Sequence, residues 1–316
     1  MLKKSPLIAI VIPCYNEEEV INIAFEEINR VLENLIKNNE IDKRSYIVFV
    51  DDGSTDRTWE LIKKLHEKFP ERVKGLKLSR NRGHQNALIA GIFSFDYDAC
   101  ITMDADLQDP PEVIKEMINK YKEGYEIVYG VRAKRDSDSL FKRKSAELFY
   151  DFMNMLGVEL IKNHADFRLL GSRAVKALSM YNETNLFLRG LIPSIGFKSE
   201  KVFYERRKRA GGKSKYTLGK MISFAWEGIT SFSILPLRMI TIAGALIFFV
   251  SLILSVWALF LKLTGRSVAG WASIVLPLYI LGGLNMLFLG IIGEYVGKAY
   301  IETKKRPRFI VEEKLE

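Results

Sequence analysis

The 316-residue sequence predicts an α/β fold, a mostly parallel sheet domain followed by two transmembrane α-helices. Three observations predict it. Short apolar runs alternate with helix-like stretches through the first part of the chain. Several of those runs end in acidic residues. Two long stretches near the C-terminus carry no charge. The composition, 48% hydrophobic and 27% charged, excludes a disordered chain and a collagen-like fibre. Cys14 and Cys100 are too few for a disulfide scaffold, and both sit in apolar runs, so they read as reduced core residues of a cytosol-facing domain. The chain opens on a short strand rather than a long apolar run, so no signal peptide is expected. A net charge of +9 suggests a polyanionic partner: nucleic acid, anionic lipid or a phosphorylated substrate.

LIAIVIP (residues 7–13) is a continuous apolar run ending in proline and reads as a buried parallel strand. Asn16 is placed to cap the next helix, and Glu17, Glu18 and Glu19 suit its positive end. YIVFVDD (46–52) is a second strand with two acids at its carboxyl end, and Asp56 opens another helix. VKGLKLS (73–79) is the third strand. ACITMDAD (99–106) is the fourth, again ending in acids, and Pro110 and Pro111 start a helix where proline is tolerated. EIVYGVR (126–132) is the fifth. Such βαβ alternation implies an open sheet covered by helices, with ligands bound outside the carboxyl ends of the strands.

Residues 239–261 and 272–293, 23 and 22 residues long, carry no charge, and each is long enough to cross a bilayer. Buried helices of soluble proteins rarely run so long without one. Trp257, Trp271 and Tyr295 lie near the span ends, as interface aromatics do. Lys213, Lys215, Lys220 and Arg238 precede the first span, and Lys298, Lys304, Lys305, Arg306 and Arg308 follow the second, against Lys262 and Arg266 between them. The positive-inside rule therefore places both termini in the cytoplasm of a bacterial inner membrane protein. Gly282, Gly283 and Gly290 permit close helix approach and a homo-oligomer through the spans. The expected organisation is a cytoplasmic domain over 1–216, a juxtamembrane region over 217–237, a two-helix hairpin over 238–297 and a basic cytoplasmic tail over 298–316. The juxtamembrane region has two open readings, an interfacial amphipathic helix or a helix packed on the soluble domain.

Neither GxGxxG nor GxxxxGK[ST] follows the first strand, which argues against a Rossmann dinucleotide or P-loop enzyme. Asp104-Ala105-Asp106 instead places two carboxylates at i and i+2 of an extended chain, hence on one side of it. With Gln108 as a third ligand they suit Mg²⁺ or Mn²⁺, hard cations that also take phosphate oxygens. His84 and His164 read as hydrogen-bonding neighbours rather than metal ligands, and His66 as a solvated side chain.

IPCYNEEEVI, VDDGSTDRT, MDADLQDPPE, GVR, ADFRL and RAGGKSKY together resemble family 2 glycosyltransferases of the Rossmann-like GT-A fold. Within them the chain is most similar to the polyprenyl-phosphate glycosyltransferases, the group that includes dolichyl-phosphate mannose synthase. The resemblance covers about residues 7–216, and the two-span tail resembles bacterial members that charge undecaprenyl phosphate with glucose. It implies that Pro13, Tyr15 and Glu17 line the base and ribose of a nucleotide sugar, and that Asp51 or Asp52 contacts the base or ribose. Asp104, Ala105 and Asp106 would meet the metal and diphosphate. Arg209, with Ser214 and Lys215, would close over the donor phosphates, and Arg132 and Arg143 would meet the acceptor phosphate. Lys142-Arg143-Lys144 also reads as a solvated helix face or a lipid-headgroup contact. Asp166 stands where many family members place the catalytic base. A hydroxyl acceptor needs such a base, whereas a lipid phosphate is already ionised, so Asp166 either acts as a base, orients groups or forms a structural ion pair with Arg168.

The implied function is an inverting, metal-dependent transfer of a hexose from a nucleotide-diphosphate sugar to polyprenyl phosphate. UDP-glucose is the favoured donor, and UDP-N-acetylglucosamine, UDP-galactose, GDP-mannose and a formylated aminoarabinose nucleotide are alternatives. A non-catalytic nucleotide-binding membrane adaptor is the rival from another class, countered by Asp104 and Asp106. A nucleic-acid binder is countered by the clustering of basic residues near the membrane. A transferase with a diacylglycerol or sugar acceptor would make Asp166 a true base.

Overall fold

The computed structural model describes residues 5–133, 164–183, 187–207, 235–264 and 271–316. The described strands are β1 (Ile8–Cys14), β2 (Tyr46–Asp51), β3 (Val73–Leu78), β4 (Ala99–Thr102), β5 (Ile127–Arg132), β6 (His164–Gly171), β7 (Ser199–Tyr204) and β8 (Val311–Leu315). They form one sheet in the order β7-β5-β6-β4-β1-β2-β3-β8. β3, β2, β1 and β4 pair in parallel, as do β5 and β7. β6 is antiparallel to β4 and β5, and β8 is antiparallel to β3. The described helices are α1 (Ile21–Lys37), α2 (Thr58–Lys68), α3 (His84–Phe93), α4 (Val113–Lys122), α5 (Ser172–Leu178), α6 (Leu188–Ser194), α7 (Leu235–Leu263) and α8 (Trp271–Thr303).

The two-residue period of β1 explains the layering. Ile8, Ile10, Ile12 and Cys14 face one core with α1, α2 and α4, while Ala9 and Val11 face the other with α3, α5 and α6. Every residue of β1 and β2 is buried, as expected of central strands covered on both sides. Cys14 and Cys100 are buried in the core, as their apolar runs suggest. α3 lies unusually close to the sheet: a Cβ on Gly91 would meet Val11 Cγ1 at 2.4 Å and Val50 Cγ2 at 2.7 Å, so glycine is required there.

Four differences from the expected elements matter. Asn16 does not cap α1, which begins at Ile21 after a turn. Its backbone is left-handed (φ 53°), and its side chain accepts the Thr55 N–H at 2.8 Å, because that turn braces the loop after β2 rather than opening the helix. The fourth strand stops at Thr102, so Asp104 and Asp106 lie in the loop beyond it, where Leu107 adopts φ 54° and bends the chain back. His66 is not simply solvated, since its Nδ1 lies 2.7 Å from the Val73 carbonyl. β6, β7 and β8 were not anticipated.

β8 changes how the C-terminal residues are understood. Beyond α8 the chain returns to the sheet and adds an edge strand to β3, pairing Gly75 with Leu315 and Lys77 with Glu313. The Trp59 indole N–H donates to Glu313 at 2.9 Å, Lys77 pairs with Glu312 at 2.8 Å, and the Leu315 side chain rests over Gly75. The Arg308 guanidinium donates to the Tyr181 carbonyl and Phe309 packs against the core.

α7 and α8 run for 29 and 33 residues and present Phe249, Ile253, Trp257, Met286 and Leu289 outward. Among the described residues, Ile280–Thr303 within α8 is long and apolar enough to cross a membrane, and α7 contributes the shorter apolar stretch Pro236–Ile247. This long apolar helix suggests membrane association.

Candidate active site

The strand order reverses between β1 and β4, which opens a crevice at the carboxyl ends of the parallel strands. On one side of it the loops after β1 and β2 knit together. The Asn16 N–H donates to Ser54 Oγ at 3.0 Å and the Glu17 N–H to Thr58 Oγ1 at 2.9 Å. Asp56 accepts the N–H groups of Thr58 and Glu18, at 2.9 and 3.2 Å. Pro13 is buried in β1 opposite Val50, while Tyr15 is exposed at the crevice and Glu17 is half-buried.

Asp51 and Asp52 differ in what they do. Asp52 accepts the N–H groups of Arg82 (2.7 Å) and Gly83 (2.9 Å), so it holds the loop leading into α3. Asp51 accepts the Ser54 N–H at 3.2 Å through one oxygen, and its Oδ2 is buried with no hydrogen-bond partner among the described residues. A buried carboxylate oxygen without a donor is costly, so Asp51 is the one of the pair with capacity for a ligand N–H. Burial pushes both carboxyls above their ordinary range. Gly53, between this pair and the loop, has φ 68°, and a Cβ there would meet the Arg80 and Asn81 backbone at 2.6 Å.

The loop after β4 carries the acidic pair. Asp104 and Asp106 are half-buried and Ala105 between them is buried. Asp106 accepts the Gln108 N–H at 3.1 Å. The Gln108 side-chain oxygen accepts a hydrogen bond from Arg206, and its carbonyl accepts the Arg207 N–H at 2.9 Å. Burial pushes the Asp104 carboxyl up, the His84 ring opposes this, and the carboxylates of Asp166, Asp109 and Asp106 add to the rise. Such crowding of like charges favours a cation. Two carboxylates fit a hard divalent ion that draws its remaining ligands from water and phosphate. Among the described residues no cluster of three or more His, Cys, Asp or Glu side chains forms a complete metal cage.

Asp166 reaches the same place from β6, the strand next to β4. Because β6 is antiparallel to β4 and pairs Arg168 with Thr102, continuing both strands by two residues brings Asp166 beside Asp104. Thr102 Oγ1 donates to the Asp166 carbonyl, which fixes that junction. The Asp166 carboxylate accepts from Arg168, which is 1% exposed, and from Arg189 Nη2 at 3.2 Å on α6. His84 Nε2 lies 3.4 Å from Asp166 Oδ2 and 3.7 Å from Asp104 Oδ1. Burial alone would raise the Asp166 carboxyl, but Arg189, Arg168 and His84 hold it well below the usual carboxylate range. The same carboxylates raise His84 against the effect of its burial.

Arg132, at the end of β5, is 30% exposed. It pairs with buried Asp109 at 3.0 Å, and Asp109 also accepts the Tyr204 hydroxyl at 2.6 Å. The β5–β7 register sets Arg132 opposite Tyr204, which is why the three meet. Arg143, Arg209, Ser214 and Lys215 lie outside the described residues. Sequence reasoning missed Arg189, Asp109, Tyr204 and Arg206 as site neighbours. Asp109 alone carried a signal, as an acid inside MDADLQDPPE that must find a partner once buried.

The family model described as Glycosyl transferase family 2 matches residues 9–178. The chain is 48% identical over 314 residues to the uncharacterized glycosyltransferase YkoT of Bacillus subtilis (strain 168), covering 99% of this chain and 93% of that protein. It is 39% identical over 306 residues to the prophage bactoprenol glucosyl transferase homolog of Escherichia coli (strain K12), covering 96% and 98%. Among solved structures, glucosyl-3-phosphoglycerate synthase from Mycobacterium tuberculosis, in complex with Mn²⁺, UDP and phosphoglyceric acid, is similar at 19% identity with a TM-score of 0.47, covering 71% of this chain and 76% of that one.

Proposed function

The chain belongs to glycosyl transferase family 2 and is a glycosyltransferase, and from that premise we propose that it moves glucose from UDP-glucose to a polyprenyl phosphate such as undecaprenyl phosphate, with inversion. The observation that carries this reading is the state of Asp166. The carboxylate beside Asp104 at the family's base position is clamped by Arg168 and Arg189 and held at a low pKa, so it is a weak proton acceptor. A hydroxyl acceptor would need a better one, and a phosphate monoester needs none. The names of relatives as bactoprenol glucosyl transferases support the same acceptor and sugar.

In this reading Asp51 accepts the imide N–H of the base through its buried Oδ2, and Tyr15 and Glu17 border the base and ribose. Asp104 and Asp106, with Gln108, would hold Mg²⁺ or Mn²⁺. A bound ion would supply neutralisation of the leaving diphosphate. An oxygen of the acceptor phosphate forms the new bond to the anomeric carbon as the bond from that carbon to the nucleotide diphosphate breaks. The electron pair leaves with the diphosphate and no proton moves. Catalysis is then positioning and charge stabilisation by fixed groups. Arg209 and Lys215 are proposed to close on the donor, and Arg143 to meet the acceptor.

The C-terminal helices are read as a hairpin that crosses the membrane twice, with both termini cytoplasmic. β8 supports this: a chain that leaves the domain, enters the membrane and returns to β3 crosses an even number of times. The basic residues flanking the hairpin agree. The hairpin holds the domain at the headgroup plane, where a lipid phosphate lies.

The test is transfer of radiolabelled sugar by the full-length protein in detergent. UDP-glucose is offered with undecaprenyl phosphate or the uncharged polyprenol, with and without Mg²⁺ or Mn²⁺, beside a panel of other nucleotide sugars. Metal-dependent glucosylation of the phosphate but not the alcohol is expected. Transfer to the alcohol, or preference for another donor, overturns the acceptor or the sugar respectively.

A further inference from the structure

We propose that Lys77 on β3, anchored by Glu312 of the C-terminal strand β8, is a positioning residue of the donor site that keeps Asp51 an acceptor for the ring N–H of the nucleotide base; this rests on the uridine donor argued above. The strand register places the groups. At the carboxyl end of the sheet Cys14 on β1 pairs with Asp51 on β2, Asp51 with Lys77 on β3, and Lys77 with Glu313 on β8. Paired residues of neighbouring strands share a face, so these groups form one row across the sheet. Asp51 is fully buried in that row and the Lys77 side chain is 24% exposed. The ladder shifts between Lys77 and Leu78, which leaves Glu312 as the extra residue of a bulge, and a bulge re-aims a side chain. The Lys77 ammonium donates to Glu312 Oε1 at 2.8 Å, while Glu313 accepts the Trp59 indole N–H.

Asp51 faces a specific difficulty as a base-binding group. Its Oδ1 takes the Ser54 N–H, and its buried Oδ2 has no donor among the described residues. Burial pushes the carboxyl up, the Ser54 hydrogen bonds and the Lys77 charge oppose this, and Asp56 adds to the rise. Of the titratable groups around it, Cys14 on β1 is kept a neutral thiol by burial and by Asp51 itself, and Asp52 and Asp56 beyond β2 are acids. Lys77 on β3 is the cation, with Glu312 and Glu313 on its far side. Were Asp51 protonated, Oδ2 would carry the proton, because Oδ1 already accepts. It would then present a donor to the uracil N3–H, which is itself a donor. An ionised Oδ2 accepts that N–H. Cytosine carries an acceptor at N3, so it has the opposite preference. The tail that returns from the membrane helices thus reaches the base site through one lysine.

The experiment measures UDP and CDP binding to the full-length protein in detergent by calorimetry, from about pH 5 to about pH 8. UDP affinity is full above the Asp51 pKa and falls as pH drops through it. Lys77→Met removes the cation, raises the carboxyl further and should move that fall to higher pH by about one unit. At the acid end UDP affinity should then lie about 10-fold below the parent's, with the two within about threefold at pH 8. CDP affinity should not fall with it. Lys77→Arg should restore the parent's curve, and Glu312→Ala, which releases the ammonium to solvent, should lie between the parent and Lys77→Met. Lys77→Gln gives the same reading where the methionine variant does not fold. An unshifted acid limb in the Lys77 variants, or equal loss of UDP and CDP at every pH, overturns the proposal. A limb in Glu312→Ala at the parent's position overturns the part given to β8. Binding of GDP in place of UDP, with the same shift in Lys77→Met, removes the uridine donor and leaves the role of Lys77 standing, because guanine also presents a ring N–H.

Discussion

Replacing Asp166 by asparagine tests the central ion pair. Arg168 is among the largest fully buried side chains, and Asp166 is its carboxylate partner. Asparagine keeps the shape and one acceptor oxygen but removes the charge. Removing one member of a buried pair costs about 3–5 kcal/mol, because the survivor is left as a buried charge. Arg168 retains a long contact to the Leu188 carbonyl at 3.5 Å, which sets the expectation at about 3 kcal/mol. For a domain of roughly 200 residues this is a fall in Tm of roughly 6–12 °C. Tryptophan fluorescence during thermal unfolding of the full-length protein in detergent measures it. The double variant Asp166→Asn with Arg168→Met removes both charges and should recover to within about 1 kcal/mol of the parent. A single variant as stable as the parent, or a double variant worse than the single, would refute the buried-pair reasoning. The pH dependence has a definite sign. The folded carboxyl lies below its unfolded value, so the stabilisation is complete above about pH 4 and is lost as pH falls through the folded pKa. Asp166→Asn should therefore flatten the acid limb of stability.

Three further outcomes are expected. Asp104→Ala and Asp106→Ala should abolish transfer and remove metal-dependent strengthening of nucleotide binding, measured by calorimetry with and without Mn²⁺; unchanged turnover would dismiss the acidic pair as a metal site. Gly53→Ala should destabilise the domain by about 1–3 kcal/mol, through a strained φ and contact with the Arg80–Asn81 backbone, and should weaken UDP binding, as measured by thermal unfolding with and without UDP. Deleting residues 309–316 should expose the β3 edge, move Trp59 emission to the red and speed proteolysis of the α/β domain, since Trp59, Lys77 and Gly75 all lose their partners; emission and cleavage rates equal to the parent's would remove β8 as a brace.

Much was legible in the chain because it is encoded locally. Apolar runs and turn residues located β1, β2, β3 and β5 to within a residue or two at each end, and the acids after β2 and β4 pointed to the crevice. What escaped depends on pairing between distant segments. β6 and β7 carry no longer or cleaner pattern than a loop, and their place between or beside β4 and β5 arises only when the sheet forms. The fate of Asp52 was also beyond sequence reasoning. It stands beside Asp51 in VDDGSTDRT with the same chemistry, yet one binds the Arg82–Gly83 backbone and the other keeps a buried oxygen without a donor among the described residues.

The amino-acid sequence by itself determined the α/β alternation, the acidic pair at Asp104 and Asp106, the family, and the apolar C-terminal helices, since each follows from side-chain period, spacing or charge within a short window. The tertiary structure alone decided that Asp166 is pinned by Arg168 and Arg189, that Arg132 is held by Asp109, and that the last residues return to β3. The physical reason is that an ion pair or a strand pairing takes its energy from two partners. The nearest of those that matter here lie two residues apart in the chain and the farthest more than two hundred, and only the sheet's antiparallel register and the closing of the chain on itself select which ones meet.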